Sequence, residues 1–302
     1  IPALLAFGLD QYSRKRQASQ LTSRSVVYVP KPDTVRDNLF LAYCLVITFL
    51  IVAMLGMAQF GALVKFWPYN LSLTLKHYNF EVAGLGWDSF YNSVRMSLYA
   101  AFFGTILIFV GSYLIEKMRS DKSLRELLQM VALMPMAIPG IVLGLAYIFF
   151  FNAKGNPLNF FYATMAILVI NTIVHFYTVS HLSAITAIKK LDNEFEAVSL
   201  SLKIPIYKMF FRITLPVCLP TVFDIFIYLF CNAMTTVSGV IFLYSYDTTL
   251  ASVSAIHLDE QGDVAGAAAM AMLIVYISFV VRGLHTVIST LLLKRTQAWR
   301  NI

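Results

Sequence analysis

Six apolar runs, at roughly 39–63, 93–115, 127–151, 160–182, 219–244 and 265–292, alternate with polar stretches along the chain. Each meets or approaches the roughly 20 residues that a helix needs to cross a hydrocarbon core. The pattern predicts an all-α, polytopic membrane protein with six transmembrane helices. The polar stretch between the fourth and fifth runs keeps its own periodicity. Ile185, Ile188, Leu191 and Phe195 recur at three- and four-residue spacing, so Ser183 to Ile204 reads as a helix. Pro205 breaks it, and Ile206 to Leu215 reads as a second short helix, with Lys208 and Arg212 on one side and Phe210 and Ile213 on another. Such a helix–turn–helix can insert an apolar face into a groove on a partner or lie on the lipid surface.

Charge placement orients the chain. Lys and Arg number six before the first run, then two, four, one, five, none and three in the successive gaps and tail. The alternation follows the positive-inside rule and puts both ends, and the loop of about 183–218, in the cytoplasm. A net charge of +7 is thereby a topological signal and not a nucleic-acid patch. Composition agrees with the class: 59% of residues are hydrophobic and 13% charged, more apolar surface than one soluble core can hide. Cys44, Cys218 and Cys231 sit in or beside apolar runs without CxxC spacing, and read as small packing residues.

At the start, Ile1 to Leu9 is apolar but too short to span, and no basic region precedes it, which argues against a signal peptide. Residues 1–37 are expected to be the last turns of a preceding helix and a basic cytoplasmic linker, and 38–302 the six-helix domain. The aromatic stretch from Lys65 to Asn92 suits an interfacial anchor, since Trp and Tyr favour the membrane boundary.

Several residues are candidates for a translocation pathway. Arg95, near the outer end of the second span, can snorkel to headgroups or attract an anion. Pro135 and Pro139 free backbone carbonyls in the third, and irregular backbone at membrane depth must face protein or a water-filled cavity. Asn171 and His175 share a face of the fourth, where interhelical hydrogen bonding competes with a metal site that lacks further ligands. Asn232, Thr235 and Thr236 in the fifth either bind helices together or line a passage. Asp224 is expected in the first turns of that span, where an acid complements the helix dipole. Small residues open the sixth, and its length decides whether Arg282 and His285 lie in the bilayer or on its surface.

Glu196-Ala197, small residues, Leu202, then Tyr207, Phe210, Arg212 and Ile213-Thr214-Leu215-Pro216 resemble the EAA loop of binding-protein-dependent permeases of ABC importers. LMPMAIPGIVLGLAYIFF, from Leu133, and NSVRMSLYAAFFGTILIFVGSYLI, from Asn92, are also similar to that family, over about residues 40–295. The resemblance implies that Glu196, Ala197, Ser199, Leu202, Lys203, Tyr207, Phe210, Arg212, Leu215 and Pro216 dock an ATPase. Lys203 stands where the family usually keeps Gly, which puts the turn's geometry in question.

SLKIPIYKMFFRITLPVCLP and NAMTTVSGVIFLYSYDTTLAS look like the branch for 2-aminoethylphosphonate uptake, which is close to ferric-iron permeases. The resemblance implies a bacterial inner-membrane permease half, the C-terminal one of a fused pair. Its partners would be the second half, a cytoplasmic ATPase dimer carrying ATP and Mg, a periplasmic binding protein and lipid. No GxxxxGK[ST] occurs, so the chain has no recognisable ATP site and is expected to bind no cofactor or metal and to be no enzyme. A phosphonate is the first substrate expectation and ferric iron the alternative. A passive channel and an intramembrane enzyme are more distant, the latter because no catalytic constellation is visible.

Overall fold

The computed structural model describes residues 31–80, 87–118, 121–191 and 194–296, with 196, 200 and 291–296 described in backbone only. The segment expected to end a preceding helix lies outside the described residues. Four helices are long and apolar enough to cross a membrane: α1 (Thr34–Leu63), α2 (Asp88–Lys117), the continuous stretch Ile206–Thr235, and α11 (Val264–Thr296) over Val264–Thr290. Two further crossings are bent pairs. α3 (Lys122–Leu133), with the short 3-10 turn Met134–Ala137, meets α4 (Gly140–Phe151) at 108°, and α5 (Met165–His175) meets α6 (Tyr177–Lys189) at 55°. Counting each pair as one span gives the six expected crossings.

Side-chain caps mark three helix starts, Asp33 accepting from the Val35 and Arg36 amides, Asp121 from those of Ser123 and Leu124, and Asp263 from that of Gly266. The stretch after α1 is a hairpin, β1 (Val64–Phe66) paired antiparallel with β2 (Asn70–Leu73), which leaves Trp67 and Tyr69 exposed. Its hydrogen bonds were not legible in a sequence read for aromatics alone.

The body is built around α2. Its buried face is mostly small: Ser89, Ser93, Ser97, Ala100, Ala101, Gly104, Thr105 and Ser112. Water drives no helix association inside lipid, so close backbone approach and van der Waals contact must supply it, and small residues permit both. α9 (Leu215–Thr235) seats against this stripe, bringing Ile225, Leu229, Phe230 and Met234 into the core beside Ile167 and Leu168 of α5. α10 (Ala251–Glu260) packs on α11, and its first amide, Ala251 N, is capped from outside by Ser93 Oγ at 2.8 Å.

Four sequence expectations change. The helix expected from Ser183 to Ile204 is α6 running on from the membrane to Lys189, then a separate α7 (Glu194–Ser201). The second loop helix is no separate element: α8 (Ile206–Met209) passes through a π turn, Phe210–Thr214, into α9. Met209, Phe210 and Thr214 are buried there, and that packing carries the helix past the charges that suggested a loop. The fifth run does not stay helical to 244. Asn232 Nδ2 bonds Tyr228 O and Thr235 Oγ1 bonds Cys231 O in their own helix, and the chain leaves it at Thr236 for turns through 237–244. Asp224 consequently lies deep in a continuous helix and not at a helix start. α11 runs on to Thr296, so Arg282 and His285 belong to a long helix.

Candidate functional site

At the end of the bundle that holds α7 and α8, three elements are tied by charge. Glu116 of α2 lies 3.0 Å from Arg125 of α3 and 4.0 Å from Lys189 of α6. Beside it Phe210 enters the body, its ring 4.8 Å from Tyr113 and 6.0 Å from Phe109. Phe210, counted in the sequence among docking residues, is thus an internal anchor of the loop. Ser199 is buried too, while Ala197, Arg212 and Pro216 are exposed and Leu215 is half-buried.

The outward side of the loop is apolar. Leu202 is 66% exposed, Tyr207 59% and Phe211 62%, with Phe195, Val198 and Ile206 exposed near them in sequence. Lys203, Lys208 and Arg212 interleave with these positions, so the surface offers apolar contact and positive charge together. Glu196 lies in α7, and its side chain is outside the described residues.

Between α7 and α8, Lys203 adopts φ +55°, the left-handed conformation that favours glycine. The Ile204 amide closes onto Ser199 O at 2.9 Å, and that bond defines a Schellman cap with Lys203 at the position usually given to Gly. The helix therefore ends before Pro205, by left-handed backbone carried on Lys203. A left-handed non-glycine residue costs roughly 1–2 kcal/mol, part of which glycine's greater freedom in the unfolded chain cancels. Lys203→Gly is expected to stabilise the protein by about 1 kcal/mol, and Lys203→Val to destabilise it. Apparent Tm in detergent checks this, and a fall with Gly would refute it.

Within the apolar layer the two helix bends and the end of α9 meet in a polar notch. A Cβ placed on Gly140, the first residue of α4, would lie 2.5 Å from Ser238 Oγ, 3.1 Å from Gly239 N and 3.1 Å from His175 Cε1. One placed on Gly144 would lie 2.8 Å from Gly239 O. Asn171, almost fully buried, donates from Nδ2 to Gly239 O at 2.9 Å. Pro139, His175, Asn171 and Thr236 of the sequence-predicted pathway are thus brought to one place. Thr235 and Ser238 are exposed nearby in sequence, and Thr236 O is held by Ser252 Oγ at 2.7 Å. Pro135 sits in the turn before Pro139. Asn232 bonds its own helix, and Arg95 is exposed on α2 among Leu98, Tyr99 and Phe102, not on the buried face that carries Met96 against Thr172.

One contact was not anticipated: His285 of α11, 8% exposed, has Nε2 3.3 Å from Asp224 Oδ1 of α9. Among the described residues no three His, Cys, Asp or Glu side chains group as metal ligands. Gly239 and Gly104 were also missed, because a lone glycine in an apolar run carries no sequence signal for the side chain it will meet.

Comparison with known proteins places this geometry. The family model of the binding-protein-dependent transport system inner membrane component matches residues 107–294. A putative ferric transport system permease protein of Haemophilus influenzae is 30% identical over 201 residues, 65% of this chain and 31% of that protein. A ferric transport system permease protein of Actinobacillus pleuropneumoniae is 27% identical over 70% of this chain and 31% of its own length. The match thus spans about a third of the relatives' length. A bacterial ABC transporter that imports the acidic polysaccharide alginate shares the fold, at TM-score 0.70 and 19% identity over 84% of this chain and 96% of that one. An inward-facing methionine ABC transporter shares it at TM-score 0.58 and 13% identity, over 73% of this chain and 99% of that one.

Proposed function

The chain belongs to the family of binding-protein-dependent transport system inner membrane components, and from that premise we propose that it is a permease segment of an ATP-driven importer of ferric iron. The observation that carries the transport reading is the docking loop: a family-typical motif at one end of a membrane bundle, anchored inward by Phe210 and presenting Leu202 and Tyr207 outward. The basic loop is cytoplasmic on this reading, as are the basic flanks on the same side, and the membrane is the bacterial inner membrane. Its partner is a separate ATPase dimer, since no phosphate loop occurs in the sequence. One solved relative of the fold is an alginate transporter in complex with a periplasmic protein, and a corresponding binding protein would deliver the solute here. A second permease half fits the share of the longer relatives that this chain leaves uncovered.

The relatives' names favour the ferric alternative over the phosphonate that the sequence branch suggested. Few acids lie in the membrane runs to ligate a ferric ion, but selectivity in such importers can rest with the binding protein. The solute would pass the notch at Asn171, His175, Pro139 and Thr236, where irregular backbone at membrane depth needs protein or water beside it. Uptake of radioactive ferric iron and of labelled 2-aminoethylphosphonate is compared in cells with and without the operon. Iron uptake should require the operon and its ATPase. Operon-dependent uptake of the phosphonate alone would overturn the substrate, and uptake surviving ATPase deletion would mark a passive channel.

A further inference from the structure

We propose that Tyr244 and His257 form a ferric-ion site at the outer end of the bundle, where the cargo touches this chain before it enters the passage. The site rests on the ferric transport reading above and adds to it a place of first contact.

The two side chains meet although thirteen residues separate them. Tyr244 Oη lies 3.0 Å from His257 Nε2, and His257 Nδ1 lies 3.7 Å from Glu260 Oε2, one helical turn further along α10. Two donors bound at right angles to one ion, each about 2.1 Å from it, stand about 3 Å apart. The phenol oxygen and the imidazole nitrogen are therefore already spaced as neighbouring ligands. Glu260 faces the other ring nitrogen, so its carboxylate favours hydrogen on Nδ1 and leaves the Nε2 lone pair for Tyr244 or for an ion. That is the carboxylate–histidine–metal arrangement.

Tyrosine oxygen and imidazole nitrogen are both iron ligands, and the hard phenolate oxygen suits the ferric state. In the ion-free chain the phenol donates to Nε2. Binding forms an Fe–O and an Fe–N bond, breaks the phenol O–H bond and sends that proton to water. The iron stays ferric, so no electron is transferred. His257 is half-buried and Glu260 exposed, which leaves the remaining coordination positions to water and to oxygen donors that arrive with the ion. Among the described residues no third His, Cys, Asp or Glu closes a cage, and a site that must release its ion needs none.

The backbone holds the pair in place. Tyr244 N bonds Val240 O at 3.2 Å, and Val240 and Leu243 are buried, so the turn that carries the phenol is fastened to the core. Past it, Asn92 Nδ2 of α2 donates to Asp247 O at 2.9 Å and to Thr249 O at 3.2 Å. Leu250, Val253 and Leu258 are buried and fix α10, and His257 with it. Ligands on anchored backbone lose little freedom when an ion binds.

Charge points the same way. From Thr236 to Val264 the chain carries Asp247, Asp259, Glu260 and Asp263 and no Lys or Arg. The positive-inside pattern puts this stretch on the outer side, so an arriving cation meets a negative field. The same turn reaches inward to Gly239, whose O accepts from Asn171 in the notch, so an ion leaving Tyr244 stands at one end of the passage.

The test uses the full-length transporter assembled with its ATPase, purified in detergent and titrated with ferric nitrilotriacetate. Phenolate bound to ferric iron absorbs visible light by charge transfer from oxygen to metal, which a site of carboxylates alone does not. A saturable visible band is expected in the parent, and Tyr244→Phe, which keeps the ring and its packing, should lose it. His257→Gln and Glu260→Gln should each raise the concentration for half-saturation by about tenfold or more. No band in the parent, or the same band in Tyr244→Phe, overturns the site, as does a parental half-saturation in both other variants. If Tyr244→Phe is absent from the membrane, the exposed Glu260→Gln decides alone, and a parental half-saturation there overturns the site. Uptake in the same cells separates the site from the reading beneath it. Operon-dependent iron uptake without the band sinks the site alone, whereas phosphonate uptake without iron uptake removes the ferric reading and the site with it.

Discussion

Leu202→Asp will cut ATP-dependent uptake by at least about tenfold while the protein still reaches the membrane in normal amount. Leu202 is 66% exposed at the C-terminal edge of α7, so a carboxylate there disturbs no core. In the docked complex proposed above the same position would be desolvated, and an uncompensated charge buried in an interface costs more than the roughly 2 kcal/mol that marks an energetic hot spot. Glu196→Lys should have a similar effect, because the family resemblance puts Glu196 in the docking motif. Phe210→Ala is the instructive contrast. It removes the ring that packs on Tyr113 and should loosen the whole loop, lowering stability as well as uptake. Uptake normalised to membrane-inserted protein separates the two classes. Normal uptake by both Leu202→Asp and Glu196→Lys would end the docking assignment.

The parts of this site that were legible in the sequence are those fixed by local pattern. Six apolar runs, alternating basic gaps and the Glu196–Pro216 motif pointed to the crossings and to the loop at one end of the bundle, and the question raised at Lys203 is answered by its left-handed φ of +55°, the conformation that Gly would take. Misreadings arose where tertiary contact overrode local polarity. Lys208 and Arg212 suggested a separate loop helix, yet Phe210 and Thr214 find a buried seat and the helix runs through. Val237 to Tyr244 is apolar enough to read as span, but glycine contacts on α4 and the Asn171 amide hold it as turns. Asp224 looked like a dipole complement until His285, far along the chain, was found beside it. Contacts between residues so distant in sequence leave no periodicity to read.

Gly104→Leu will have the largest effect on the fold, and nothing about the apolar run around Gly104 announces this. At Gly104 three helices converge: a Cβ there would stand 2.9 Å from Leu229 Cδ1 of α9 and 3.1 Å from Ile173 Cγ1 of α5. For alanine both neighbours are side-chain atoms that can turn aside, so Gly104→Ala should cost about 1 kcal/mol, the low end of overpacking penalties. Leucine adds three more carbons to a space bounded on two sides, and the α2–α9 seam has to part. That seam is the most extensive helix contact in the body, and in lipid it is held by packing that tolerates no gap. A loss of about 3 kcal/mol or more is expected, enough to deplete the folded protein. Fluorescence-detected size exclusion after graded heating in detergent would read it as a lowered apparent Tm for Gly104→Ala and an early-eluting aggregate for Gly104→Leu. A Gly104→Leu protein as stable as the parent would mean that α2 and α9 do not approach at this point as closely as the structure places them.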